Sequence, residues 1–258
     1  MRRRRSVIIR KSTSELDKMR RSGRITAGAI ERVVAAVAPG KTTLDLDRVA
    51  EEHILAEGAT PSFKGYRGFP ASICASLNDE IVHGIPSRNR VLREGDLLSL
   101  DFGAIWEGFH SDSAVTVFVG GAAPSAEAER LVRTTEAALE AAIAAIAPGG
   151  RLSDIGHAIE STAVRGGLGV VREYGGHGIG RALHEDPFIQ NWGPPGRGPE
   201  LSPGLVIAVE PMLNLGGDET RAMADGWTVV TADGSLSAHF EHTIAVTDDG
   251  HEVLTARG

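Results

Sequence analysis

APGKTTLDLDRVAEE, residues 38–52, and APGGRLSDIGHAIES, residues 147–161, decide the fold when one is laid on the other. With Ala147 over Ala38, an offset of 109 residues, the Ala-Pro-Gly stops coincide, Asp45 meets Asp154, Leu46 meets Ile155 and Glu51 meets Glu160. Carried on without a gap, the same offset sets EGDLLSLDFG against PGLVIAVEPM, so that Asp101 falls on Glu210. Two distant matches at one offset, the second joining carboxylates in apolar surroundings, indicate a helix-helix-strand unit present twice.

Each Ala-Pro-Gly stop closes a helix. Ser12 and Glu15 have capping-box spacing, and Leu16, Met19, Ala27, Ile30, Val34 and Val37 follow at mostly three- and four-residue steps. The second long helix runs from about Ser125 through EAALEAAIAAIA to Pro148-Gly149. The short apolar runs LLSLD, AVTVFVG, LVIAVE, WTVVT and HFEHTIAVT read as strands, with hairpin signals at WEG, residues 106–108, and at Asp233-Gly234. Helices first and strands after, in each half, predict an α+β fold built by duplication. No break in composition divides the chain. The expectation is a single domain over 1–258, with a basic arm at 1–24 and halves at about 25–123 and 124–258.

The 258 residues are 41% hydrophobic, 24% charged and 5% aromatic, which excludes a disordered, collagenous or disulfide-stapled chain. Cys74 is alone, so no intrachain disulfide exists and a reducing cytoplasm is expected. No run approaches the ~18 apolar residues of a membrane span. The start MRRRRSVIIRKS carries only Val7, Ile8 and Ile9 where a signal peptide needs about 7 to 15 apolar residues. The net charge is −7, yet residues 1–24 hold ten Lys and Arg against two Asp and Glu. Such an arm reads either as a contact for a polyanion such as RNA or as a solvated terminus at the edge of a helix.

The chemistry is concentrated in a few segments. In DFGAIWEGFHSD, residues 101–112, a turn near Trp106 and Glu107 sets Asp101 opposite Asp112, with Cβ atoms about 4.5–5.5 Å apart. Like charges that close force one carboxyl to stay protonated unless a cation lies between them; the alternative is a hairpin with both facing water. In EYGGHGIGRALHEDP, His177 stands among Gly175, Gly176, Gly178 and Gly180, which leaves its imidazole unshielded, and His184 follows seven residues later. A phosphate-cradling loop is the competing reading, but the final glycine of G-x-G-x-x-G is missing. His83 lies in NDEIVHGIP. Glu210 ends LVIAVEP, and Glu241 lies in HFEHTIAV with Phe240, Ile244 and Val246 expected on the opposite face. Carboxylates in such runs are costly to bury without a partner. Ser99 and Ala208, two positions before Asp101 and Glu210, leave room on the same face. Four carboxylates and one imidazole supply donors for two adjacent divalent ions, and an oxygen-rich mixed site suits Mn, Fe(II), Co or Zn. Zinc-finger and HExxH spacings are absent.

In this order SLNDEIVHGIP, LLSLDFGAIWEGFHSDSA, EYGGHGIGRALHEDP, VIAVEPML and DGWTVVTADGSLSAHFEHTIAVT resemble the type I, bacterial-type methionine aminopeptidases of peptidase family M24, over nearly the whole chain. The resemblance implies a pita-bread fold, a pseudo-twofold α+β duplication around a central antiparallel sheet. It implies two divalent ions (Co, Mn, Fe(II) or Zn) held by Asp101, Asp112, His177, Glu210 and Glu241, with Asp112 and Glu241 bridging. The implied reaction is attack of a water activated by that pair on the first peptide bond of peptides and nascent chains that begin with methionine and continue with a small residue. Glu210 would pass on the proton, His83 and His184 would hold the scissile amide and the developing oxyanion, and Tyr66, Phe69, Cys74, Leu183 and Trp227 would line the methionine pocket. Several relatives carry an aromatic residue where Leu183 stands. A cytoplasmic monomer is expected, touching the ribosome transiently through its arm, with no DNA or membrane partner. Two rivals are weaker. Xaa-Pro peptidases use the same ligand types but usually carry an additional N-terminal domain, for which 258 residues leave no room. A non-catalytic module holding RNA through the arm would typically have lost ligands, and all five stand here.

Overall fold

The computed structural model describes residues 7–258; Arg2–Arg5, the densest part of the basic arm, lie outside the described residues. Helices α1 (Thr13–Ala36) and α2 (Thr43–Ala56) precede strands β1 (Thr60–Pro61), β2 (Ile73–Leu77), β3 (Glu80–Val82), β4 (Leu97–Trp106) and β5 (Phe109–Phe118). Helices α3 (Ala126–Ala144) and α4 (Leu152–Arg165) then precede β6 (Gly169–Val170), β7 (Gly175–Gly178), β8 (Glu185–Gln190), β9 (Val206–Val209) and β10 (Met212–Asn214). The chain ends with β11 (Thr220–Ala222), β12 (Val229–Thr231), β13 (Ser237–His239), β14 (His242–Val246) and β15 (His251–Val253). Both bounds of α2, carried forward by the 109-residue offset, land on those of α4, and the start of β4 lands on that of β9.

The caps explain where the helices begin. Ser12 N and Oγ both donate to Glu15 at the head of α1, Thr42 caps α2 with Asp45, and Ser125 Oγ accepts from Ala128 N at the head of α3. Each helix pair covers its own apolar core. Ile30, Val33, Leu46 and Ile54 pack on Leu98, Leu100 and Phe102 of β4; Leu131, Leu139, Ile155 and Ile159 pack on Ile207 and Val209 of β9 and Ile244 of β14. A third cluster, with Phe63, Phe69, Cys74 and Leu183, draws its residues from both halves of the chain.

All strand pairing is antiparallel. β1, β2 and β5 pair with β4, and β15-β14-β9-β7-β8 form the largest sheet. The two sheets meet along a seam where β5 runs beside the segment 239–243. Ala114 and Glu241 exchange backbone hydrogen bonds (3.3 and 3.1 Å). On either side a threonine hydroxyl replaces the backbone pair: Thr243 Oγ1 bonds both Asp112 N and O, and Thr116 Oγ1 bonds both His239 N and O.

Two turn expectations need correction. The β4–β5 loop is Glu107-Gly108, both with positive φ (47° and 79°), as a two-residue hairpin turn demands. Trp106 therefore faces Phe109, and Asp101 faces Ala114 while Asp112 faces Gly103. The two aspartates are diagonal neighbours, still on one face because the pairing shifts by an even number. Asp233-Gly234 is a turn, with Asp233 accepting from Ser235 N and Gly217 N, but it joins β12 and β13, which belong to different sheets. Of the basic residues in 1–24, Lys11, Lys18, Arg20 and Arg21 pair with Glu185, Glu107, Glu252 and Glu57.

Gly156, inside α4, marks how closely that helix lies on β8. A Cβ there would stand 2.2 Å from Gln190 O and 2.9 Å from Trp192 N. Gly to Ala in a helix normally gains about 1 kcal/mol; here Gly156→Ala is expected to lose about 1–3 kcal/mol in urea denaturation. A neutral or stabilised variant would show that α4 lifts off the strand at no cost.

Candidate metal centre

β4 and β5 carry Asp101 and Asp112, β7 carries His177, Glu210 follows β9, and Glu241 lies between β13 and β14. All five line one cleft of about 150 Å³. His177 Nε2 stands 3.8 Å from Asp112 Oδ2 and 3.7 Å from Glu210 Oε1. Asp112, His177 and Glu241 are close enough for all three to hold one ion. Among the described residues no lysine or arginine lies within 4.0 Å of any of the four carboxylates.

The donor set fits a divalent cation. An ion sits about 2.0–2.2 Å from its nitrogen and oxygen ligands, so two donors of one ion are at most about 4.3 Å apart, and the His177 spacings fall inside that limit. Asp101 Oδ1, Asp112 Oδ1 and Glu241 Oε1 are buried without any hydrogen-bond partner, a costly state that a cation would relieve. Burial pushes Asp101 up to about 7. Asp112, Glu210 and Glu241 are likewise held well above the ordinary carboxylate range, first by burial and then by one another's charge. Burial lowers His177 to about 4. Its Nδ1 lies 2.9 Å from Gly178 O; a carbonyl only accepts, so the proton is on Nδ1 and the Nε2 lone pair faces the carboxylates.

The glycines around His177 serve a different purpose from the expected one. His177 is buried, with the His184 ring 4.1 Å away. A Cβ at Gly175, Gly176 or Gly178 would meet the carbonyl oxygens of Ile189, Ala208 or Asp186 at 2.2–2.4 Å, so these residues let β7 lie close between β8 and β9. Ala208 is the partner of His177 across β9 and does leave room beside it. Ser99 does not: its hydroxyl is taken up by Thr116 at 2.8 Å.

His184 lies at the exposed mouth, its Nδ1 3.0 Å from the Tyr66 hydroxyl. Partial desolvation and the neighbouring His177 keep it below the ordinary histidine pKa, hence neutral. His83 takes a left-handed backbone (φ 61°), a conformation uncommon outside glycine. Its ring is edge-on to Trp227 and Tyr174. Tyr66, Phe69, Cys74, Leu183 and Trp227 all line the same cleft, joined by Phe63, and Phe69 meets Trp227 edge-to-face at 5.1 Å. Phe63 had no signal in the sequence. Neither had His239, whose Nε2 lies 3.7 Å from Glu210 Oε2 and 4.0 Å from Glu241 Oε2.

A carboxyl whose folded pKa is raised binds more protons folded than unfolded through the interval between the two values, so stability falls as pH rises across it. For Asp101 that interval runs from the ordinary aspartate value of 3.8 to about 7. Metal-free protein is therefore expected to melt at progressively lower temperature from about pH 4 to about pH 7, and saturating Mn(II) or Co(II) should remove most of that slope. A metal-free melting temperature that rises over the interval would refute the packing of charge described above.

The sequence profile of metallopeptidase family M24 matches residues 17–248. The methionine aminopeptidase 1 of Mycobacterium tuberculosis is 52% identical over 97% of this chain and 96% of its own length, and that of Bacillus subtilis is 49% identical over 96% and 99%. The crystal structure of a methionine aminopeptidase from Thermotoga maritima superposes with a TM-score of 0.95 at 44% identity, covering 97% of this chain and all of that one. A prolidase from Pyrococcus furiosus, 21% identical, shares the fold with a TM-score of 0.79 over 97% of this chain and 66% of its own. Among the described residues no helix is long and apolar enough to cross a membrane.

Proposed function

The chain belongs to metallopeptidase family M24 and, within it, to the methionine aminopeptidases, and from that membership we propose what its site does and which residue takes each part. The activity is metal-dependent hydrolysis of the first peptide bond of chains that begin with methionine. The observation that carries it is the meeting, in one cleft, of four uncompensated carboxylates and a lone-pair imidazole with an apolar pocket. Asp101, Asp112, His177, Glu210 and Glu241 would hold two divalent ions. Such a pair supplies a water acidified to near neutrality and a Lewis acid for the scissile carbonyl.

The remaining work falls to side chains. Phe63, Phe69, Cys74, Leu183 and Trp227 enclose the methionine side chain. Leu183 keeps the wall apolar with less bulk than an aromatic residue. Glu210 takes the proton of the attacking water and returns it to the departing amine. The Tyr66 hydroxyl donates to His184 Nδ1, which directs a neutral Nε2–H into the cleft toward the developing oxyanion. His83, fixed by its left-handed backbone, holds the scissile amide. The second substrate residue is small. The protein acts in the cytoplasm as a monomer on peptides and nascent chains. Arg2–Arg5, outside the described residues, give a salt-sensitive contact with ribosomal RNA; ribosome co-sedimentation that survives their deletion would contradict it.

One assay tests the reaction and the role of His184 together. Met-Ala-Ser should release methionine only with Mn(II) or Co(II), and Ala-Pro should not turn over. His184→Ala should lower kcat on the order of 10² to 10³ with metal content unchanged, because its hydrogen bond acts mainly in the transition state. Metal loss in that variant would make His184 a ligand; turnover of Met-Ala-Ser in chelator would remove the metal from the reaction.

A further inference from the structure

Glu210 has an imidazole on each side. His177 Nε2 stands 3.7 Å from its Oε1, and His239 Nε2 stands 3.7 Å from its Oε2. Each imidazole also reaches a second carboxylate, His177 to Asp112 at 3.8 Å and His239 to Glu241 at 4.0 Å. The relation of His239 to its two carboxylates thus repeats that of His177 to its own.

Nothing else accounts for the placement of His239. It ends β13 opposite Met212 of β10, with its backbone pinned on both sides by the Thr116 hydroxyl. Its side chain is 2% exposed, and Nε2 has no hydrogen-bond partner. An N–H at 3.7 and 4.0 Å is too distant to donate to either oxygen. A bare lone pair aimed at a carboxylate repels it unless a cation lies between them. Both spacings lie within the ~4.3 Å that two ligands of one ion allow.

We infer that His239 is a nitrogen donor at the metal centre, binding through Nε2 a divalent ion shared with Glu210, in addition to the five residues assigned above. The inference rests on the reading of the carboxylate cluster as a metal centre. Two imidazoles at one site shift its preference toward Co(II), Fe(II) and Zn(II) and away from Mn(II) and Mg(II), which are content with oxygen.

Proton NMR of the full-length Co(II)-loaded protein in water counts bound imidazoles, because the ring N–H of each is shifted far outside the ordinary window and vanishes in D₂O. Two such signals are expected in the native protein and one, from His177, in His239→Gln. Co(II) should bind His239→Gln about 10- to 100-fold more weakly, the loss seen on removing even an indirect metal partner, with a smaller loss for Mn(II). His239→Asn serves if the Gln variant does not fold, and the native count stands without either. A single exchangeable signal in the native protein, with Co(II) bound, would overturn the inference and leave the metal centre in place. No bound Co(II) in the native protein would overturn the metal centre, and the inference with it.

Discussion

Four carboxylates share one small buried space with no cationic side chain among the described residues to balance them. Left empty, that cluster opposes folding through desolvation and mutual repulsion, so its geometry has to be imposed by structure elsewhere. Two apolar cores, one beneath each helix pair, supply the frame. The seam supplies the precision: at residues 112, 114 and 116 facing 243, 241 and 239, every contact is a hydrogen bond pair, two of them completed by a buried threonine hydroxyl. Rigidity bought this way is compensated when cations bind the folded state alone, since such binding adds to stability as RT ln(1 + [L]/Kd).

Duplication accounts for half of the cluster and the seam for the other half. Asp101 and Glu210 occupy equivalent positions on the strand that each half lays over its own core, on β4 and at the end of β9. Asp112 and Glu241 are not related by the 109-residue offset. They are neighbours because β5 of the first half runs beside the β13–β14 connection of the second. The centre therefore exists only when both halves are folded and docked, and neither helix pair alone can present more than part of it.

This division also governs what was legible in the sequence. Local signals carried the cap at Ser12, the start of a helix near Ser125 and the doubling of α2 as α4, because capping and helical periodicity depend on residues three or four apart. The turn at Glu107-Gly108 was misplaced by one residue, which moved Asp101 off direct opposition to Asp112 without changing the face. Asp233-Gly234 has the chemistry of a hairpin and makes its turn, yet the strands beside it find other partners, a choice made by long-range packing. His239 and Phe63 were invisible for the same reason. The position of His239 is fixed by Thr116, 123 residues away, and no pattern within SAHFEH reports it.

The apolar pocket and the carboxylate cluster are not independent sites set side by side. Cys74 of β2 is the register partner of Asp101 on β4, and Leu183 immediately precedes His184. The wall that would recognise a methionine side chain is thus part of the surface that excludes water from Asp101; that burial raises its pKa, while the Cys74 thiol itself draws it down. On the proposed reading, a bound thioether would complete that wall and dry the site on the side where the scissile bond would lie. Selection of methionine and the electrostatic strength of the centre then draw on the same buried surface, and binding energy from the side chain is expressed in the reacting region and not only in affinity.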